Sequence, residues 1–187
     1  IDERLIVVSC NVQGFRPDFA LVLQEISAIR PDVIAFQEAL HGSRLLDLYF
    51  HDWNKVHIGE FWIGSRYPVR LVDVCDVRVV GRKSAVRVEI DAPGGIVRLT
   101  NVHLSTARNG LSELSFDSIL SGSGPGAVES HVALRAEESI QTREFVLREN
   151  FETPALIVGD FNMPTSSHLW KADWVDLTNA FDTAGLG

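Results

Sequence analysis

Short β-rich apolar runs separated by helical patterns constrain the fold of this chain more than any other feature of its sequence. Residues 5–10, 33–36 and 155–158 are runs of the kind that form buried strands, and a helical spacing of apolar residues precedes the second and the third. The region between them is strand-rich, with strands predicted at residues 55–58, 61–64, 71–80, 84–90 and 96–104. The pattern predicts a single α/β domain over residues 1–187, in which two β-sheets pack together with helices outside them.

Helices are predicted at residues 19–29, 45–50 and 128–150, and the Pro- and Gly-rich residues 91–95 are typical of a hairpin connection. Residues 106–126 are rich in Ser and Gly, so we expect a surface excursion that forms one wall of a cleft. Its apolar residues either pack as a short helix or face an apolar group of a substrate. Arg108 is the only cation of this excursion and a predicted phosphate contact.

Composition and charge narrow the function classes. Seventeen Lys and Arg against 25 Asp and Glu give a net charge of −8, which disfavours tight non-specific binding to a polyanion such as DNA. A local patch around one cleft would still allow nuclease chemistry. The two cysteines, Cys10 and Cys75, are expected to be buried free thiols. No apolar run approaches the length of a membrane-spanning helix, so no transmembrane segment is predicted, and the sequence assigns no compartment.

Polar side chains that can bind a metal or a phosphate stand at the carboxyl ends of four predicted strands. These side chains are Asn11, Glu38, the pair Asn101 and His103, and the pair Asp160 and Asn162. Ligand sites commonly lie outside the ends of strands, where side chains from several strands converge. Gly159 would let the last of these strands turn sharply enough for Asp160 and Asn162 to face one cleft.

This set of residues is suited to the hydrolysis of a phosphate ester. Such esters are anionic, so an attacking oxygen is repelled unless a hard divalent cation neutralises the charge. Glu38 is the predicted principal ligand, and Asn11 either binds the same metal or orients Glu38. Asp160 would align and deprotonate a water, and Asn162 would hold that water or a phosphate oxygen. His103 would donate a hydrogen bond to a non-bridging oxygen as charge builds there, with Asn101 beside it as a substrate contact.

Structural roles remain open for several of these residues. Glu38 could cap a helix, Asn11 could form a turn, and His103 could be a hydrogen-bonded core histidine. The other histidines lack a comparable setting and are expected on the surface or in packing, namely His41, His51, His57, His131 and His168. Arg135 and Arg143 are expected to pair with glutamates of the same helix.

At these positions the chain resembles the endonuclease/exonuclease/phosphatase superfamily, which includes the deoxyribonuclease I-like nucleases, neutral sphingomyelinases and inositol-phosphate 5-phosphatases. The motifs that carry the resemblance are CNVQG at 10–14, PDVIAFQE at 31–38, SRYP at 65–68, NVHL at 101–104 and GDFNMP at 159–164. The resemblance implies a four-layer α/β/β/α sandwich with Mg²⁺ or Mn²⁺ in a cleft at the sheet ends. It also implies metal binding by Glu38 and Asn11, phosphate contact by His103, and alignment of the nucleophile by Asp160 and Asn162.

Two departures from the family pattern are visible. Gln13 stands where several nucleases of the family carry an Asp, which lowers the local negative charge. The chain also reaches Gly187 without the late Asp-His pair of the family and the strand before it, so we expect this chain alone to be impaired in catalysis.

Three functions follow from these observations. The first is a metal-dependent phosphodiesterase that acts on nucleic acid or a phospholipid head group. The second is a phosphomonoesterase that acts on small phosphorylated metabolites or inositol phosphates. The third is a catalytically inactive binding or scaffold domain that retains the fold.

Overall fold

The structure, a computed structural model, describes residues 4–15, 18–107, 124–148 and 153–185. These described residues form eight strands and five α-helices in the order β1 (Val7–Asn11), α1 (Phe19–Ile29), β2 (Val33–Gln37), α2 (Ser43–Tyr49), β3 (Asn54–Ile58), β4 (Phe61–Ser65), β5 (Val69–Val77), β6 (Arg82–Ala92), β7 (Gly95–His103), α3 (Gly124–Leu147), β8 (Ala155–Asp160), α4 (His168–Asp173) and α5 (Ala180–Ala184). A short 3₁₀ turn, Gln13–Phe15, follows β1.

The strands form two mixed four-stranded sheets, and the prediction of two sheets is confirmed. The first sheet has the order β1-β2-β4-β3 and the second has the order β5-β6-β7-β8. Each sheet contains one parallel pair, β1 with β2 and β7 with β8, and the remaining neighbours are antiparallel.

The side chains of the central strands point alternately to the two faces of each sheet, and this alternation produces the layers of the sandwich. In β2, Val33 and Ala35 face the second sheet and pack in a core that includes Val86 and Val88 of β6. Ile34 and Phe36, on the opposite face, pack in a core that includes Leu23 and Ile26 of α1, together with Leu46 of α2 and Trp62 of β4. A third core lies on the outer face of the second sheet, against α3 and α4. Because successive side chains of a strand point to opposite faces, the fully buried β2 has helices on one side and a sheet on the other. The predicted α/β sandwich is confirmed.

Most element boundaries lie within a few residues of the predicted ones, and the exceptions have local causes. Helix α1 covers the predicted residues: the Asp18 side chain accepts from Ala20 N at its start, and Arg30 closes it in a left-handed conformation. Strand β5 ends at Val77 rather than at residue 80, because the chain turns there and Val80 N donates to Val77 O. Helix α3 begins at Gly124, inside the predicted excursion. Residues 108–123 of that excursion, including Arg108, lie outside the described residues.

Both cysteines are free thiols, but only one is fully buried. Cys75 is buried and Cys10 is half-buried, so the expectation of burial was wrong for Cys10. Burial raises the pKa of both thiols, which keeps them protonated and unreactive at neutral pH. No helix in the described ranges is long and apolar enough to cross a membrane.

Candidate functional site

The carboxyl ends of β1 and β2 in one sheet and of β7 and β8 in the other meet at one side of the sandwich. Parallel pairing places Asn11 opposite Gln37 in the first sheet and His103 opposite Asp160 in the second. The Asn11 side-chain nitrogen donates to Glu38 Oε1 and to Asp160 Oδ2, each at 2.9 Å. A single amide therefore holds carboxylates from the two sheets beside each other.

The loop after β8 is held by hydrogen bonds on both sides. Asp160 Oδ1 accepts from the backbone N–H of Asn162 at 2.9 Å, and the Asn162 side-chain nitrogen donates to Leu104 O at 2.8 Å. Arg135 of α3 donates to the backbone carbonyls of Asn162 and Ser105, each at 3.0 Å. The glutamate pairing expected for Arg135 is therefore replaced by contacts that tie the loop after β8 to the loop after β7. Both oxygens of Asp160 are thus oriented by fixed donors.

His103 is only 5% exposed and its two ring nitrogens face different partners. Nδ1 lies 2.9 Å from Glu60 Oε1 and 3.0 Å from Arg82 Nη2, whereas Nε2 lies 3.7 Å from Glu38 Oε1. Nδ1 cannot donate to Glu60 and accept from Arg82 at once. Because Glu60 is an acceptor and Arg82 forms its own ion pair with Glu60, we assign the Nδ1 proton to the Glu60 bond. This bond directs Nε2 towards the cleft.

Glu60 and Arg82 are site residues that the sequence did not reveal. Glu60 lies in the two-residue connection between β3 and β4, and Arg82 is the first residue of β6. The two side chains form an ion pair, and Arg82 Nη1 donates to Ser105 Oγ at 3.3 Å. A charged residue beside a tight turn usually faces solvent, so the available signal was that each lies at the start of a buried strand.

The charge state of Glu60 is set by its neighbours. Burial alone would raise the pKa of this carboxyl, but the hydrogen bond with His103 and the charge of Arg82 outweigh the burial and lower the pKa below its ordinary value. Glu60 is therefore an anion at neutral pH and a stable acceptor for His103.

Replacement of Glu60 by Gln should change the acid dependence of stability. A carboxyl whose pKa is lower in the folded state contributes stability that is present above its unfolded pKa of about 4.3 and is lost as pH falls through the folded value. We therefore expect wild type to be more stable than Glu60→Gln at pH 7, with the difference shrinking below pH ~4. Urea unfolding at several pH values measures this difference. A difference that is constant down to pH ~2 would contradict the ion-pair assignment.

The two predicted substrate contacts have different outcomes. Asn101 is fully buried, its nitrogen donates to Phe36 O at 3.1 Å, and its oxygen accepts from Gln37 Nε2 at 2.6 Å. These bonds cross between the sheets, so Asn101 joins the two sheets and is not accessible to a substrate, which corrects the prediction. Arg108 lies outside the described residues, so its phosphate contact stays a prediction.

The polar strand ends open into a cleft with a volume of about 630 Å³. Its lining includes Asn11, Glu38, Glu60, Arg82, His103, Asp160 and Asn162, and also His41, which was expected to be an ordinary surface histidine. Glu38 and Asn162 adopt left-handed backbone conformations with φ of 56° and 50°. Non-glycine residues rarely adopt this conformation, and it is often retained at functional sites.

The donor set fits a partly hydrated divalent cation better than an enclosed metal site. Within the described ranges, no three His, Cys, Asp or Glu side chains are grouped closely enough to enclose a metal ion. Mg²⁺ is usually held by one or two carboxylates and several waters, and the half-exposed Glu38 beside Asp160 offers such a pair. Asn11 directs its nitrogen to the carboxylates and accepts from Gln13 N through its oxygen. This geometry supports the orienting role of Asn11, and direct metal binding by Asn11 stays a prediction.

Comparison with known proteins identifies the family to which the chain belongs. The model of the Endonuclease/Exonuclease/phosphatase family matches residues 8–180, so the chain belongs to this family of hydrolytic phosphoesterases. A search of curated protein sequences found no significant match.

Solved structures share the fold at low sequence identity. A β-hairpin deletion mutant of beta toxin from Staphylococcus aureus is 18% identical, with a TM-score of 0.59 over 91% of this chain and 71% of that one. D. rerio TDP2 complexed with a single-strand DNA product is 17% identical, with a TM-score of 0.60 over 87% of this chain and 62% of that one. Sphingomyelinase C from Streptomyces griseocarneus is 15% identical, with a TM-score of 0.55 over 92% and 68%.

Proposed function

We propose that this chain forms the body of a divalent-metal-dependent phosphodiesterase that uses Mg²⁺ or Mn²⁺. The observation that supports it is the convergence of residues from two separate sheets: the Asn11 amide holds Glu38 and Asp160 together, and His103 Nε2 lies 3.7 Å from Glu38 Oε1. Among the described residues that line the cleft, there are three carboxylates and one guanidinium, that of Arg82. An anionic substrate would be repelled by that balance, so a bound divalent cation is required for the substrate to enter.

Each residue then has a definite role. Glu38 holds the cation, which when bound neutralises negative charge on the phosphate. Asp160, held by Asn11 and by the Asn162 backbone, aligns a water and takes its proton. The water oxygen forms the new bond to phosphorus as the bond to the leaving ester oxygen breaks, and solvent supplies the proton that the leaving oxygen needs. His103, with a proton on each ring nitrogen, donates from Nε2 to a non-bridging oxygen, and Arg82 lies on the Nδ1 side of the ring.

Two substrate classes fit this chemistry. One solved neighbour is complexed with single-strand DNA, and another is a sphingomyelinase C. The acidic cleft and the net charge of −8 favour a phospholipid head group over an extended polyanion. Hydrolysis by the full-length protein of bis(p-nitrophenyl) phosphate, plasmid DNA, sphingomyelin vesicles and inositol phosphates, with Mg²⁺ or Mn²⁺, separates the classes. A preference for inositol phosphates would favour the phosphomonoesterase alternative.

Replacement of Glu38 by Gln tests the metal site. We expect Mn²⁺ affinity and the rate of hydrolysis to fall by at least about 100-fold, because the change removes the charge of the principal ligand, and loss of outer-shell groups alone costs 10–100-fold. Titration of Mn²⁺ followed by electron paramagnetic resonance measures the affinity independently of turnover. Glu25→Gln, at an exposed position of α1, is the matched control and should leave both quantities unchanged.

The possible results of these experiments lead to different conclusions. If wild type neither binds Mn²⁺ nor hydrolyses any of these substrates, the proposed function is wrong. If it binds the metal without turnover, the scaffold alternative is favoured. If Glu38→Gln binds Mn²⁺ as tightly as wild type does, Glu38 is not the principal ligand.

A further inference from the structure

A buried carboxylate lies behind the cleft. Glu138 of α3 is only 1% exposed, and its Oε2 accepts from Ser105 N at 2.8 Å. Its Oε1 is buried and has no hydrogen-bond partner within the described part of the chain. A buried carboxylate is costly unless a cation faces it, and Arg82 Nη1 lies 3.8 Å from that oxygen.

Arg82 connects this carboxylate to the reacting side of the cleft. Its Nη2 forms the ion pair with Glu60 and lies 3.0 Å from His103 Nδ1, whereas its Nη1 faces Glu138 and Ser105 Oγ. The guanidinium is therefore held between one carboxylate at the cleft and one inside the protein. Because an arginine side chain has many rotamers, two such anchors greatly restrict the position of its charge.

We propose that Glu138 is a positioning residue for the reaction, which acts through Arg82. The inference rests on the proposed function. Glu138 holds the Arg82 guanidinium beside His103, where its charge stabilises the phosphate in the transition state.

A purely structural role predicts a different result. In that case Glu138 would serve only as an acceptor for Ser105 N, which fixes the loop after β7. Glutamine can provide the same acceptor with nearly the same volume, but it has no negative charge to face Arg82. Glu138→Gln therefore separates the two roles.

The experiment is a double-mutant cycle in the full-length protein with bis(p-nitrophenyl) phosphate and Mg²⁺. We expect Glu138→Gln to lower kcat about tenfold with KM changed less than about twofold, because Arg82 acts mainly on charge that develops in the transition state. In an Arg82→Ala background the same change should have no further effect. The control is Glu137→Gln, one residue away and exposed, where Gln141 Nε2 donates to the carboxylate; it should match wild type.

A second measurement does not depend on turnover. The Nε–Hε resonance of Arg82, identified by its absence in Arg82→Lys, should exchange with solvent at least about fivefold faster in Glu138→Gln than in wild type. If wild type proves inactive, the proposed function fails, and this exchange rate alone decides whether Glu138 holds Arg82.

The proposal would be overturned if Glu138→Gln had the kcat of wild type and the wild-type rate of Arg82 Nε–Hε exchange. It would also be overturned if the losses of kcat caused by Glu138→Gln and Arg82→Ala were additive in the double mutant. If Glu138→Gln does not fold, Glu138→Asp replaces it, because Asp keeps the charge but draws it back by one methylene. Unchanged kcat together with unchanged Arg82 exchange in Glu138→Asp would then overturn the proposal.

Discussion

Replacement of Asp160 by Asn is expected to lower the kcat of phosphodiester hydrolysis by about 1,000-fold while the fold is retained. The change removes the base that takes the proton of the attacking water. It also disturbs the orientation of the side chain, because Asp160 accepts from Asn162 N through one oxygen and from the Asn11 amide through the other. Asn has one acceptor oxygen, so it can keep only one of these two bonds, and its own amide would face the Asn11 amide.

The measurement is kcat under saturating Mg²⁺, with circular dichroism and thermal unfolding to show that the variant folds. Asp52→Asn is a suitable control, since it removes one carboxylate from an exposed turn and should leave kcat unchanged. A folded Asp160→Asn variant with a rate near that of wild type would mean that another group activates the water.

The position of Asp160 and its neighbours shows what the sequence can predict. Glu38 and Asp160 each follow a short apolar run, and each was expected at the end of a strand. Since the carboxyl ends of parallel strands lie at the same edge of a sheet, two such pairs of strands are enough to bring polar residues together. The local pattern therefore predicts the two-sheet architecture and places Glu38 and Asp160 at the same side of it.

How deeply a strand residue is buried is harder to predict than the face of the sheet on which its side chain lies. Asn101 and His103 are two residues apart on β7, so strand periodicity places them on the same face, and both were expected at a substrate. His103 ends the strand and reaches the cleft. Asn101 lies one step deeper, where the first sheet covers it and Gln37 and the Phe36 carbonyl satisfy its side chain. How far the covering sheet extends depends on how the two sheets pack, which sequence spacing does not encode.

Contacts between distant segments account for the remaining differences. Glutamates near Arg135 on the same helix suggested local ion pairs, but the backbone carbonyls of two loops bind its guanidinium instead. Glu60 and Arg82 look like ordinary charges beside turns until the ends of the two sheets come together around His103. In each case a tertiary partner replaces the solvent or the local partner that the sequence pattern suggests.

Gly159 is required for a reason that differs from the expected one, and its replacement by Ala should have the largest effect on stability. The sequence suggested a sharp turn, but Gly159 lies within β8, opposite Val102 of β7. Its φ is 137°, and a Cβ atom there would lie 1.9 Å from the Val102 carbonyl oxygen. That neighbour is backbone and cannot rotate away, so β8 would have to move from β7. We expect Gly159→Ala to reduce the free energy of unfolding by about 3–5 kcal/mol.

Gly95→Ala separates the two causes of this loss. Gly95 has a similar φ of 120°, but nothing lies within 4 Å of the position that its Cβ would occupy. The control therefore contains the backbone strain without the collision and should cost about 1–2 kcal/mol. Urea unfolding of both variants measures the difference in the free energy of unfolding, and equal losses would show that β7 and β8 can separate without cost.

Because Asp160 follows Gly159 directly and pairs with His103, a displaced β8 would also move the carboxylate away from Asn11. Any folded fraction of Gly159→Ala should therefore have a lower kcat, whereas Gly95→Ala should retain the wild-type value.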